Sequence, residues 1–169
     1  MIDRATAHAE NVVSKKEPAG LLHYLACKRH IEDLEKQGTK EFPYMWVPEK
    51  SERILNFAET LTILEGVKPK PLNLHDFQCF DLGVPFGWHR LDGNRRFRRK
   101  YKSVARQNGK TMENGITLGY VAGFSGYKNG KLFTAATKKA QARLAWEELA
   151  KFIQADPELS EYFEIKDYK

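Results

Sequence analysis

The stretch Val104–Thr111 (VARQNGKT) holds residue types that bind a phosphate chain. Such a site needs a turn whose backbone N–H groups converge and a lysine that reaches the β- and γ-phosphates. It also needs a Ser or Thr hydroxyl for Mg²⁺, all at a helix N-terminus. Gly109, Lys110 and Thr111 supply the last three positions in order. Arg106 adds a planar, multi-donor cation able to stabilise charge on a γ-phosphate. The plain pattern opens with a glycine where Val104 stands here, so the turn must form on Ala105–Asn108. Asn108 is the residue there best able to take a left-handed angle. An exposed basic loop is the competing reading of the same residues.

Two further clusters have chemical potential. Arg95–Lys102 (RRFRRKYK) carries six cations and two aromatics. Extended, it sets Phe97, Arg99 and Tyr101 on one face and Arg98, Lys100 and Lys102 on the other. Basic residues interleaved with aromatics can grip phosphates and stack on bases, which makes Arg95, Arg96 and Arg98 candidate nucleic-acid contacts. A solvated edge is the alternative. His23, Cys27 and His30 fall at i, i+4 and i+7 on one helix face. Three such ligands could hold a metal, but no fourth is evident and the spacing arises easily by chance. His75 and His89 have no partner pattern, and no Ser-His-Asp or Cys-His arrangement can be argued.

The elements that must position these residues follow from periodicity and punctuation. Ala19–Lys36 predicts a helix with Leu21, Leu22, Leu25 and Leu34 on an apolar side, ending near Gly38. Glu41–Glu49, with two prolines, predicts a packed irregular connector. Ser51 can cap a second helix to about Leu64, with Ile54, Phe57, Ala58, Leu61 and Leu64 at helical spacing and Gly66 as its stop. The charged, proline-restricted Lys68–Pro71 (KPKP) is the candidate boundary, giving residues 1–70 as a helical segment and 71–169 as a second region. Within that region Leu74–Trp88 predicts a short helix and then a turn at Pro85–Gly87. Arg95–Val104 predicts an extended segment, Lys110–Ala122 a helix, and Lys131–Ala136 a strand after Asn129–Gly130. Thr137 can cap a last helix, with Ala142, Ala145, Trp146, Leu149, Ala150 and Ile153 in one stripe before Pro157. The β-α-β order favours a parallel sheet and an α/β fold, although Tyr101–Val104 is polar for a central parallel strand.

Composition removes several function classes. At 169 residues and 41% hydrophobic, the chain is long enough for one real core. No apolar run approaches the roughly 18 residues of a membrane helix, and the start (MIDRATAHAE) lacks the apolar stretch of a signal peptide. Cys27 and Cys79 are too few for a disulfide framework, so a reducing interior is expected. A formal charge of +6 permits nucleic acid as a partner without establishing it.

The loop ARQNGKT resembles the variant Walker A of viral DNA-packaging motors, the large terminase subunits of tailed bacteriophages. Their loops run Ser/Ala/Pro-Arg-Gln/Lys-x-Gly-Lys-Ser/Thr. Pro71–Trp88 is similar to the family's adenine-binding Q-motif region, with Gln78 at the glutamine. Asp92–Tyr101 resembles the lead-in to its first strand, Phe133–Ala142 the strand and helix start after the P-loop, and Pro48–Leu64 the helix that precedes the motor. The resemblance covers roughly residues 42 to 155 in four ordered motifs.

It implies a P-loop NTPase-type parallel sheet flanked by helices, preceded by an N-terminal helical segment. It implies ATP with Mg²⁺ as cofactor: adenine near Gln78, phosphates in Arg106, Gln107, Asn108, Gly109, Lys110 and Thr111, and Mg²⁺ on Thr111. Lys110 and Arg106 would be the catalytic groups. Double-stranded viral DNA, the portal protein, the small terminase subunit and sister motor subunits in a ring are the implied partners, in the host bacterial cytoplasm and away from membrane. The family's Walker B strand, coupling motif and metal-binding nuclease carboxylates do not occur before Lys169, so these residues alone are expected not to turn over ATP. A helicase-like Q-motif ATPase, or a non-enzymatic basic DNA-binding protein, remain the alternatives.

Overall fold

A computed structural model describes residues 3–64 and 68–166; the predicted Gly66 stop lies outside the described residues. The chain divides into two compact units that interleave along the sequence. The first runs to Asn56 and resumes over Leu74–Lys102; the second holds Phe57–Asn73 and the chain from Ser103 onward.

In the first unit α1 (Arg4–Val13) starts where the Asp3 carboxylate accepts from the Thr6 amide at 3.0 Å, an ordinary N-cap. Its buried residues Ala5, His8, Ala9 and Val12 follow helical spacing and pack on α2 (Leu21–Lys36) and α4 (Asp76–Gly87). Strand β1 (Tyr44–Trp46) pairs antiparallel with β4 (Trp88–Arg90), setting Trp46 opposite Trp88. Both indoles enter the core with Phe80, Val84 and Cys27.

Helix α2 corrects the expected apolar side. Leu21 and Leu22 are 71% and 75% exposed, whereas Cys27, His30 and Asp33 are buried. The polar face is inside because its groups find partners there. The Trp88 indole N–H donates to His30 Nδ1 at 2.9 Å, and His30 Nε2 lies 2.9 Å from Thr6 Oγ1. Thr6 Oγ1 in turn donates to Asp3 Oδ2, which also accepts from the Trp46 indole at 2.6 Å. Asp33 pairs with Arg96 at 2.6 Å. Buried polar groups are tolerated when satisfied in this way.

In the second unit β2 (Thr62–Ile63) pairs antiparallel with β3 (Lys70–Pro71). The helices are α5 (Lys110–Gly123), α6 (Lys139–Ala155) and α7 (Pro157–Tyr162). The boundary between units falls inside α3 (Pro48–Thr60), which begins before the expected cap Ser51 and leaves that serine fully buried. Pro85 lies inside α4 rather than in a turn after it. Pro157 does not merely stop α6: Asp156 accepts from the Glu158 and Leu159 amides, so the proline opens α7 at a first-turn position where its missing N–H costs nothing.

The parallel sheet expected from the β-α-β order is not formed among the described residues. Both sheets are two-stranded and antiparallel, and the fold is mixed and mainly helical. Arg95–Val104 is irregular apart from a bridge between His89 and Arg95, and Lys131–Ala136 is irregular and exposed throughout. A parallel strand is stable when sheet neighbours take its N–H and C=O groups and helices cover both faces. Neither segment has that surrounding here.

Candidate functional site

Helix α5 begins at Lys110 because Gly109 occupies the left-handed region (φ +69°) as N-cap, and the Glu113 amide closes the first helical bond to Gly109 O at 2.9 Å. A side chain at that angle is strained, so the glycine position is a geometric demand. The first-turn amides of a helix have no intrahelical acceptor and carry the positive end of its dipole. Ahead of them the chain turns at Gln107, whose φ is +63°, while the Asn108 side chain donates to Arg106 O at 3.0 Å. The left-handed residue is therefore Gln107, not Asn108 as expected. Asn108 is occupied in holding the turn from its far side.

Lys110 folds back over the turn. Its ammonium donates to Val104 O at 2.5 Å and to Ala105 O at 3.0 Å, so the cation lies over the loop between its start and the helix N-terminus. Thr111 and Arg106 are exposed. Along this turn the chain carries a cation, the first-turn amides of α5, an exposed hydroxyl and an exposed guanidinium.

What fixes this turn is the packing of α5 behind it. Gly115 and Gly119 face α6 so closely that a Cβ on Gly119 would meet Leu149 Cδ1 at 2.9 Å, and one on Gly115 would meet Glu148 at 3.2 Å. Ile116 and Tyr120 bury beside them, and the Phe57 and Phe124 rings meet at a tilt with 4.9 Å between their centres. The helix is held by its rear face, leaving its N-terminus to solvent.

The other predicted residues lie in the first unit. Gln78 is buried, and its Oε1 accepts from the His75 amide at 2.9 Å, capping α4. The guanidinium of Arg96, besides pairing with Asp33, lies over Phe42 at 4.6 Å and Phe97 at 4.8 Å. Arg95 lies over Phe86 at 4.6 Å, and Arg98 is exposed. Lys102 pairs with Asp81 at 2.7 Å. Burial lowers the pKa of His30 to about 4, despite the opposing carboxylates of Asp3 and Asp33, so the ring is a neutral core group. Two features of the site escaped the sequence reading: the carbonyls of Val104 and Ala105, and the left-handed Gln107. Neither has a side-chain signature.

Among known proteins, residues 76–167 match the family model described as terminase large subunit, ATPase domain, which is more than half of the 169 residues. No curated protein and no solved structure matches the chain.

Proposed function

The chain belongs to the terminase large-subunit ATPase-domain family, and from that premise we propose that Val104–Thr111 binds the phosphates of Mg-ATP in a motor that packages double-stranded viral DNA. The observation that carries this reading is Lys110, bent over a turn that ends in a left-handed glycine at the N-terminus of α5. In the proposed complex Lys110 leaves the Val104 and Ala105 carbonyls for β- and γ-phosphate oxygens. The α5 amides and those of Gln107–Gly109 surround the same oxygens, and Thr111 would hold Mg²⁺. Mg²⁺ held there would neutralise phosphate charge. Arg106 faces the γ-phosphate and stabilises charge as it develops.

The same reading takes 71–169 as part of a P-loop-type parallel sheet, with Arg95–Val104 and Lys131–Ala136 becoming strands once paired. It takes portal, small subunit and sister motor subunits as partners. No described helix is long and apolar enough to cross a membrane.

Calorimetric titration of Mg-ATP and Mg-ADP into the chain tests the reading. Lys110→Ala should weaken both nucleotides by roughly ten- to hundred-fold, the value of one charge-assisted contact of about 1.5–3 kcal/mol. Equal affinity in the variant and the parent, or no binding by the parent, would remove the nucleotide site.

A further inference from the structure

Outside the phosphate loop, the first unit gathers three metal-ligating side chains. His8, on α1, meets His23 and Cys27, both on α2; one ligand atom from each lies within 4.8 Å of the others. The two histidines face each other, Nε2 to Nε2, at 2.8 Å. Two Zn–N bonds of about 2.05 Å at a tetrahedral angle subtend an edge of about 3.3 Å, so a small opening of the pair admits an ion.

A second observation points the same way. His8 is buried, and its other nitrogen, Nδ1, makes no good hydrogen bond. Glu17 Oε2 lies 2.9 Å from it, close enough for an ion pair but off the line of a hydrogen bond. A small rotation of either side chain would turn this contact into the N–H···O bond by which a carboxylate orients a metal-bound imidazole and raises its basicity. Cys27 is wholly buried and free. His23 is half-buried, which leaves the cluster one open side for entry and for a water. The residue expected to complete the helical triad, His30, is engaged instead with Trp88 and Thr6.

We propose that His8, His23 and Cys27 form a zinc-class metal site with Glu17 behind His8, clipping α1 to α2. The Cys27 sulfur gains its bond to the metal as the thiol proton passes to solvent, and water supplies the fourth position. Ligands of this N₂S kind select zinc or cobalt over magnesium or calcium, so the site is distinct in chemistry from the phosphate loop.

The test uses the full chain, stripped with chelator and titrated with Co²⁺ alone. One equivalent should produce visible d–d bands of tetrahedral cobalt with a near-ultraviolet sulfur-to-cobalt band, and Zn²⁺ should bleach both. Cys27→Ser should abolish the sulfur band while Cys79→Ser keeps it, and His23→Ala should abolish tight binding. Glu17→Gln should weaken binding by about 10- to 100-fold. Thermal melting should rise with Zn²⁺ and fall back with chelator, independently of Mg-ATP. Should Cys27→Ser fail to fold, X-ray absorption on the parent Zn²⁺ form decides: sulfur plus two imidazole nitrogens supports the site, and a shell of oxygen alone overturns it. Absence of the sulfur band at saturating Co²⁺, or its persistence in Cys27→Ser, also overturns it and leaves the histidines as a hydrogen-bonded core pair.

Discussion

The two units use the same kinds of residue to opposite ends. In the first, apart from the His8–His23–Cys27 cluster, histidine, aspartate, arginine and glutamine are drawn inside and tied off: His30 between Trp88 and Thr6, Asp33 on Arg96, Gln78 on the His75 amide. In the second, the polar groups of the turn before α5 stay at the surface, and the cation of Lys110 rests on two backbone carbonyls of the loop. Residue type therefore says little about role. What separates structure from site is whether the hydrogen-bonding capacity is already filled by groups that cannot leave.

The largest effect expected from this contrast is on stability, in the first unit. His30→Ala removes a buried ring and strands the Trp88 indole N–H, while Thr6 Oγ1 keeps its bond to Asp3, a combination that costs about 3–5 kcal/mol. Lys110→Ala, on an exposed turn, should cost well under about 1 kcal/mol in the same assay while it weakens both nucleotides as proposed. Denaturant unfolding compares them directly. If the His30 variant lost no more than the Lys110 variant, the claim that the two units treat polar groups differently would be wrong.

A pH scan sharpens the same point. His30 is held at about 4 against an ordinary 6.5, chiefly by burial and also by Arg96 and Arg29, with Asp3 and Asp33 opposing. Between these values the unfolded chain takes up a proton that the folded chain refuses. Stability is therefore full above pH 6.5 and falls as pH drops to 4, by up to about 3 kcal/mol. His23 and His89 are shifted the same way by burial and add to the slope. His30→Gln should flatten the fall between pH 6.5 and 4 when both proteins are melted in chelator. An unchanged slope would assign the dependence to the other two rings.

The contrast also explains what the sequence disclosed. The start of α5 at Lys110 was legible because a glycine before an apolar helical pattern reports local geometry, and local geometry survives whatever the rest of the chain does. The hydrophobic side of α2 was misread because Leu21, Leu22 and Leu25 outweigh His30 and Asp33 in any periodicity count. Only the distant partners Trp88 and Arg96 make the polar face the buried one. Helix α1 went unread although Asp3 caps it and Ala5, Ala9 and Val12 share its inner face. Small residues give a weak apolar signal, but they are what lets a neighbouring helix approach. Lys131–Ala136 has strand composition without strand partners, and pairing is not encoded in the segment itself.

The third expectation concerns the exposed guanidinium. Arg106→Ala should weaken ATP by roughly ten- to hundred-fold and leave ADP little changed, because the lost contact is to the γ-phosphate alone. Lys110→Ala should weaken both. Equal losses for ATP and ADP on removing Arg106 would make it an ordinary solvated arginine, and the transfer role proposed for it would fall.

The smallest effect tests whether the turn is made of backbone. Gln107 and Gly109 both occupy left-handed angles, at φ +63° and +69°. For a residue with a β-carbon that conformation costs on the order of 1 kcal/mol. Gln107→Gly relieves the strain but gives the unfolded chain extra freedom worth about 0.5–1 kcal/mol, so the two terms nearly cancel. Stability should move by less than about 0.5 kcal/mol, and nucleotide affinity should hold. Gly109→Ala also narrows the unfolded chain, but at a left-handed angle on the N-cap of α5 the strain exceeds that gain, so it should lose about 1 kcal/mol and weaken nucleotide binding with it. The pair differs by a single side chain in each direction, two residues apart in one turn. If Gln107→Gly destabilised the protein as much as Gly109→Ala, the Gln107 side chain would have to be holding the loop. The second unit's site would then rest on filled side-chain contacts, as the first unit's core does, and the distinction between them would disappear.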